Sequence, residues 1–244
     1  MAETPAQLAS QAEVVFTNVT GSADVEGLTL GENGLIHGMQ PGAVLVDFST
    51  IAASTARHIA ACLAAKGAAM LDAPVSGGSV GARAATLSIM VGGEAAVLER
   101  VRPLLQVLGK TIVHVGGNGA GQVAKACNQM VMVAAIQACA EAASLAAASG
   151  VDFGRVREAM LAGSAGSRVL DVFGGRMAER NFAAGVEARL HHKDYAILMG
   201  EAASLPVPLP VSAQVWQQLN ALIVLGWGRD DTAALLKVLE SAHA

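Results

Sequence analysis

The period of the apolar residues changes once in this chain, near residue 121, and does not change back. Before that point short runs rich in Val, Ile and Leu, at 13–19, 42–50, 67–75 and 86–93, alternate with segments of helical spacing at 54–66 and 94–108. Strands that alternate with helices predict a mostly parallel sheet wrapped on both faces. After Gly121 the spacing is helical throughout, with helices expected over 122–149, 153–162, 167–180, 190–203, 211–225 and 232–241. Two domains follow from this: an α/β domain over 1–118 and an all-helical domain over 119–244, with the long helix leading from one into the other.

Chemistry gathers at the junction. The β-branched run Thr111-Ile-Val-His-Val115 ends in glycines 116, 117, 119 and 121, then turns into an Ala-rich helix carrying Lys125 and Asn128. Three residues apart on a helix, these two side chains share a face. The segment 126–140 is almost uncharged, so an ammonium there would be partly desolvated, which favours the neutral amine and suits a general acid. The ordinary alternative is a solvated lysine. Gly117-x-Gly119-x-Gly121 imitates a dinucleotide-binding fingerprint, but Gln122 stands where the third glycine belongs. Glu141 lies at about the expected distance yet inside the same helix. This turn is not expected to be the cofactor loop.

Composition narrows the class of function. Only 15% of the 244 residues are charged, the net charge is −4, aromatics make up 3%, and Lys and Arg do not cluster. A nucleic-acid surface is therefore not expected. Cys62, Cys127 and Cys139 are too scattered for a disulfide framework or a paired-cysteine metal site, which points to a reduced, cytoplasmic setting. The opening Met1-Ala-Glu-Thr-Pro5 lacks the features of a signal peptide, and the most apolar stretch, 130–148, carries Gln137 and Glu141. No membrane association is expected.

Two further stretches carry chemistry. In Asp72-Ala-Pro-Val-Ser76-Gly77-Gly78 a strand ends in proline and is followed by a hydroxyl and two glycines. Exposed amides and Ser76 there could hold a carboxylate, or form an ordinary turn. His191 and His192 are adjacent, so on a helix they point to different faces and do not make a metal site. Lys193 and Asp194 form either a solvated pair or a group that reaches a cofactor.

Taken together, Asp47-Phe-Ser-Thr50, Leu71-Asp-Ala-Pro-Val-Ser-Gly-Gly78, Thr86-Leu-Ser-Ile-Met-Val-Gly-Gly93, Gly119-Ala-Gly-Gln-Val-Ala-Lys-Ala-Cys-Asn128 and Lys193-Asp194 resemble, in order, the signatures of the 3-hydroxyisobutyrate dehydrogenase family. Leu190-His-His-Lys-Asp194 and Leu205-Pro-Val-Pro-Leu-Pro210 look nearest to its 2-hydroxy-3-oxopropionate (tartronate semialdehyde) reductases and 3-hydroxyisobutyrate dehydrogenases. The resemblance implies an oxidoreductase that uses NAD or NADP, without a metal, to interconvert a small 3-hydroxy acid and its 3-oxo acid. It implies Lys125 as the catalytic acid/base and Asn128 as a substrate ligand. Ser76, Gly77 and Gly78 would hold the substrate carboxylate. Asn18, Val19 and Thr50 would line the nicotinamide side of the cofactor, and Lys193 would lie near the cofactor with Asp194 orienting it. The resemblance further implies a homodimer or homotetramer that packs through the helical domain.

One departure stands out. Family members open with a strand, a Gly-x-Gly-x-x-Gly loop, a helix and a second strand, and Met1 falls after all four. The expected fold is thus an N-terminally truncated Rossmann-type domain followed by an all-α domain. The residue that would choose between NAD and NADP lies in that opening unit. Beside the enzyme, the alternative is a catalytically inactive fragment or a helical dimerisation module.

Overall fold

The computed structural model describes residues 2–241 and divides into two compact units, Met1–Cys127 and Asn128–Ala244. The first contains, in chain order, α1 (Pro5–Ala9), β1 (Val14–Thr17), α2 (Ser22–Leu30), β2 (Val44–Asp47), α3 (Ala53–Ala64), β3 (Ala69–Asp72), β4 (Val75–Ser76), α4 (Gly78–Arg83), β5 (Leu87–Gly92), α5 (Ala95–Leu105), β6 (Gly109–Gly116) and the first turns of α6 (Ala120–Ala148). Local chemistry sets the first helix: Thr4 Oγ1 accepts the Gln7 amide at 3.1 Å and Pro5 occupies the first turn, where its missing N–H costs nothing.

β1, β2 and β3 lie side by side and parallel, with Val14, Val44 and Ala69 in register. Val44, Leu45 and Val46 are completely buried, because apolar layers cover both faces of β2. On one face Leu45 and Met70 pack with Ile59 and Leu63 of α3; on the other Val44, Val46 and Leu71 pack with Ile89 of β5 and Leu98 and Val101 of α5. Each such side chain contributes about 1.5–3 kcal/mol of burial.

Beyond β3 the sheet is mixed. β5 runs antiparallel to β3, through Asp72 and Gly92, and antiparallel to β4, through Val75–Ile89 and Ser76–Ser88; β6 then returns parallel to β5. The strand expected over 67–75 breaks at Pro74, which has no N–H for the ladder, although its carbonyl accepts the Met90 amide at 3.0 Å. The chain then reverses through residues 77–86, too short a path for a parallel crossover. The stretch expected as a loop after Ser76 forms the short helix α4.

The second unit holds the rest of α6, then α7 (Phe153–Leu161), α8 (Gly175–Ala178), α9 (Ala188–Ala202), α10 (Pro210–Val224) and α11 (Leu235–Ser241). The helix expected over 167–180 is not uniform: a π turn, Leu170–Gly174, precedes the short α8. Its loosened carbonyls are capped by Arg157, which donates to Leu170 O at 3.2 Å and Asp171 O at 2.7 Å. The C-terminal helix begins at Leu235 after a 3₁₀ turn, Thr232–Ala234, capped by Asp231. Ile136, Ala140, Tyr195, Leu219, Leu222 and Leu235 are fully buried. α6 is long and apolar enough to cross a membrane by length and composition. Gln122, Lys125, Gln129 and Gln137 along it are nevertheless buried, as suits a helix folded into a protein core.

Candidate active site

Asp72 decides where α6 begins. Standing at the end of β3 and wholly buried, it accepts the Gly119 amide on Oδ1 at 2.7 Å and the Gln122 amide on Oδ2 at 3.1 Å. Two of the helix's orphan donors are thereby satisfied by a carboxylate, which also suits the positive end of the helix. A Cβ on Gly121 would lie 2.4 Å from Asp72 O and 2.5 Å from Met90 O, so the helix starts in direct backbone contact with the sheet. Burial is the largest influence on the Asp72 carboxyl and raises its pKa, while the donated amides oppose the rise.

With α6 seated this way, Lys125 reaches the β4 edge. Its Nζ donates to Val75 O at 2.9 Å, across 50 residues of sequence, and the residue is 9% exposed. Val75 immediately precedes Ser76, so an ammonium is held beside the Ser76-Gly77-Gly78 segment that the sequence reading singles out. Gly77 and Gly78 are exposed and Ser76 is half-buried. Gly77 takes φ +133° with Leu87 Cδ2 only 3.1 Å from where a Cβ would stand, so a side chain there meets both strain and a neighbour.

The loops after β1 and β2 are fixed by a second set of hydrogen bonds. Thr17 Oγ1 and Ser49 Oγ both donate to Asp47 Oδ1, at 2.8 and 2.6 Å, and Ser49 Oγ in turn accepts the Val19 amide at 2.8 Å. Asp47 Oδ2 is buried without a hydrogen-bond partner, and burial raises the pKa of this carboxyl. Gln122 clamps the loop around Thr50, donating to Ser49 O at 2.8 Å and accepting the Ile51 amide at 3.1 Å. Asn18, Val19 and Thr50 thus stand just beyond the carboxyl ends of two adjacent parallel strands, the place where doubly wound sheets receive a dinucleotide. The turn at 117–121 does not fit the dinucleotide's phosphates, because Asp72 already accepts from the amides at the helix start.

The residue that breaks the glycine fingerprint therefore has a positive role, which spacing alone did not reveal. Gln122→Ala would leave the Ser49 carbonyl and the Ile51 amide without partners. It is expected to cost about 1–3 kcal/mol, read as a lower denaturant midpoint at unchanged m-value.

In the second unit Asn128, Lys193 and Asp194 belong to one hydrogen-bonded chain. Asn128 Nδ2 donates to Gln129 Oε1 at 3.0 Å, Gln129 Nε2 donates to Asp194 Oδ2 at 2.6 Å, and Lys193 Nζ pairs with Asp194 Oδ1 at 2.9 Å. Gln129, 4% exposed, lies four residues after Lys125 and shares a helical face with it as Asn128 does, but was not singled out in the sequence. His191 pairs with Thr232 Oγ1 at 2.6 Å, whereas His192 pairs with Asn220 Oδ1 at 2.9 Å and stacks on Trp216. Their diverging directions place both in the helical packing. Burial pushes the Tyr195 phenol up to about 12, and it donates to Met130 O at 3.2 Å. Tyr195 thus remains a neutral phenol at physiological pH.

Comparison with known proteins places this geometry in a lineage. Residues 1–116 match the NAD binding domain of 6-phosphogluconate dehydrogenase, and residues 119–239 match the NAD-binding domain of NADP-dependent 3-hydroxyisobutyrate dehydrogenase. The chain is 41% identical over 238 residues to 2-hydroxy-3-oxopropionate reductase of Escherichia coli (strain K12), an alignment covering 98% of this chain and 82% of that protein. It belongs to the 3-hydroxyisobutyrate dehydrogenase family. A 3-hydroxyisobutyrate dehydrogenase of Pseudomonas aeruginosa is 40% identical over 219 residues, covering 87% of this chain and 74% of its own. The solved 3-hydroxyisobutyrate dehydrogenase of Mycobacterium tuberculosis with L-serine superposes with a TM-score of 0.89 at 28% identity, over 98% of this chain and 83% of that one. The chain is thus an NAD(P)-dependent hydroxyacid dehydrogenase by family, with a Rossmann-like sheet domain followed by a helical domain.

Proposed function

We propose that this family member interconverts a small 3-hydroxy acid and the corresponding 3-oxo acid, with Lys125 as general acid in reduction and general base in oxidation. The observation that carries the reading is the Lys125 Nζ–Val75 O hydrogen bond, which holds an ammonium next to Ser76, Gly77 and Gly78. The molecules in the names of the three relatives, 2-hydroxy-3-oxopropionate, 3-hydroxyisobutyrate and L-serine, share a carboxylate and an oxygen on the third carbon. A site that serves them needs an anion cradle and a proton donor about one small molecule apart.

On this reading the Ser76 hydroxyl and the Gly77 and Gly78 amides bind the carboxylate. Lys125 then gives its proton to the carbonyl oxygen in reduction, and removes it from the hydroxyl in oxidation. Val75 O holds the ammonium in place between turnovers. Asn128, three residues along the same helix, supplies an amide to the substrate. NAD or NADP, when bound, supplies or takes up the hydride. Asn18, Val19 and Thr50 present the edge against which its nicotinamide ring is held, and Lys193, oriented by Asp194, serves the cofactor. The same reading assigns a cytoplasmic homodimer or homotetramer, with the helical unit making the contact.

The test is turnover of 2-hydroxy-3-oxopropionate by the full chain with NADH and with NADPH, alongside a nicotinamide-fluorescence titration of each. Reduction with either cofactor is the expected result. Cofactor binding without turnover of this or any other short 3-oxo acid would overturn the substrate class and favour the inactive module.

A further inference from the structure

We infer that Gln129 is a positioning residue that fixes which end of the Asn128 amide faces the substrate, and so makes Asn128 an acceptor for a hydroxyl proton of the bound acid. The inference rests on the proposed role of Asn128 as a substrate ligand and goes beyond it in assigning the orientation and its cause.

The argument is one of direction along a hydrogen-bonded chain. An ionised carboxylate only accepts, so the end of Gln129 that meets Asp194 Oδ2 at 2.6 Å is its nitrogen. The carbonyl end of Gln129 then points at Asn128, and across that 3.0 Å contact Asn128 presents its nitrogen. With its nitrogen engaged by Gln129, the Asn128 amide has its carbonyl oxygen as the end left to accept from a ligand. Lys193 Nζ pairs with the other Asp194 oxygen at 2.9 Å, so that oxygen too faces a donor. The Asp194 side chain is 9% exposed and Gln129 is 4% exposed, so little water competes for these contacts. A lone asparagine on a helix face could present either end to a ligand; this one is set by a carboxylate two contacts away. A carbonyl acceptor favours acids that carry a hydroxyl over those in which it is replaced by a group unable to donate.

A double-mutant cycle on the full chain tests this, with KM and kcat for 2-hydroxy-3-oxopropionate measured at saturating cofactor. Gln129→Met keeps the length of the side chain and removes both hydrogen bonds. It is expected to raise KM about tenfold, with kcat changed less than about threefold, as for the loss of a uniform binding interaction. Asn128→Ala should raise KM by at least as much, and adding Gln129→Met to it should change nothing further, because Gln129 acts through Asn128. An unchanged KM in Asn128→Ala would overturn the substrate role of Asn128. A raised KM in Asn128→Ala, with Gln129→Met silent or the two effects additive, would overturn the positioning role alone. A readout independent of turnover comes from the wild-type side-chain amide resonances. One Asn128 amide proton should be shifted downfield and should lose that shift in Gln129→Met; Asn128 amide resonances that do not move between wild type and Gln129→Met would sink the proposal.

Discussion

Lys125→Ala is expected to lower kcat by at least about two orders of magnitude, the usual worth of a positioned general acid, while the affinity for NADH or NADPH changes little. The expectation follows from position. The Lys125 ammonium donates to Val75 O, which holds its proton beside the Ser76-Gly77-Gly78 cradle. Removing it takes away a proton donor that matters as charge builds on the carbonyl oxygen, and leaves the loops at Asn18, Val19 and Thr50 intact, since these are held by Asp47, Ser49 and Gln122. Lys125→Arg should be nearly as slow, because a guanidinium keeps the charge but does not release its proton. Small primary amines added to Lys125→Ala should restore part of the rate if the missing part is the acid. Turnover in Lys125→Ala at the wild-type rate would take Lys125 out of the mechanism.

Asp72→Ala should be the most destabilising single change around the site, by about 2–4 kcal/mol, since it strips two buried amides of their acceptor. For a chain of this size that corresponds to a fall in Tm of about 5–15 °C. Asp72→Asn preserves shape but turns an N–H toward one of the two amides that Asp72 accepts, and should cost about 1–3 kcal/mol. The pH dependence has a definite sign. Burial raises the Asp72 pKa above its unfolded value, so the folded state binds the proton more tightly. The associated stability is fully present below the unfolded pKa and is lost as pH rises through the folded one. Wild type is therefore expected to gain stability relative to Asp72→Asn as pH falls toward the carboxylate range. Equal chemical-denaturation midpoints for wild type and Asp72→Ala would show that α6 is seated by its glycines alone.

Much of this was legible before any coordinates. The change of hydrophobic period separated the sheet from the helices, and the order of the motifs, from Asp47 to Asp194, carried the family. The mixed direction of the sheet was not legible, because strand direction depends on the path between strands, and Pro74 with a short return through α4 set that path. Nor was the π turn before α8, where Arg157 makes good the carbonyls that a regular helix would have satisfied.

For the site, sequence by itself determined the chemistry available: a lysine and an asparagine on one helical face, a hydroxyl followed by two glycines, and a glutamine where a phosphate loop needs a glycine. Only the tertiary structure decided what those groups meet. Asp72 fills the helix start that a phosphate would need, Gln122 turns from a missing glycine into a clamp on the Thr50 loop, and Lys125 is delivered to Val75 from 50 residues away. These are pairings of buried polar groups across long loops. Periodicity reports which face of an element is apolar, and it is silent on which buried donor finds which acceptor.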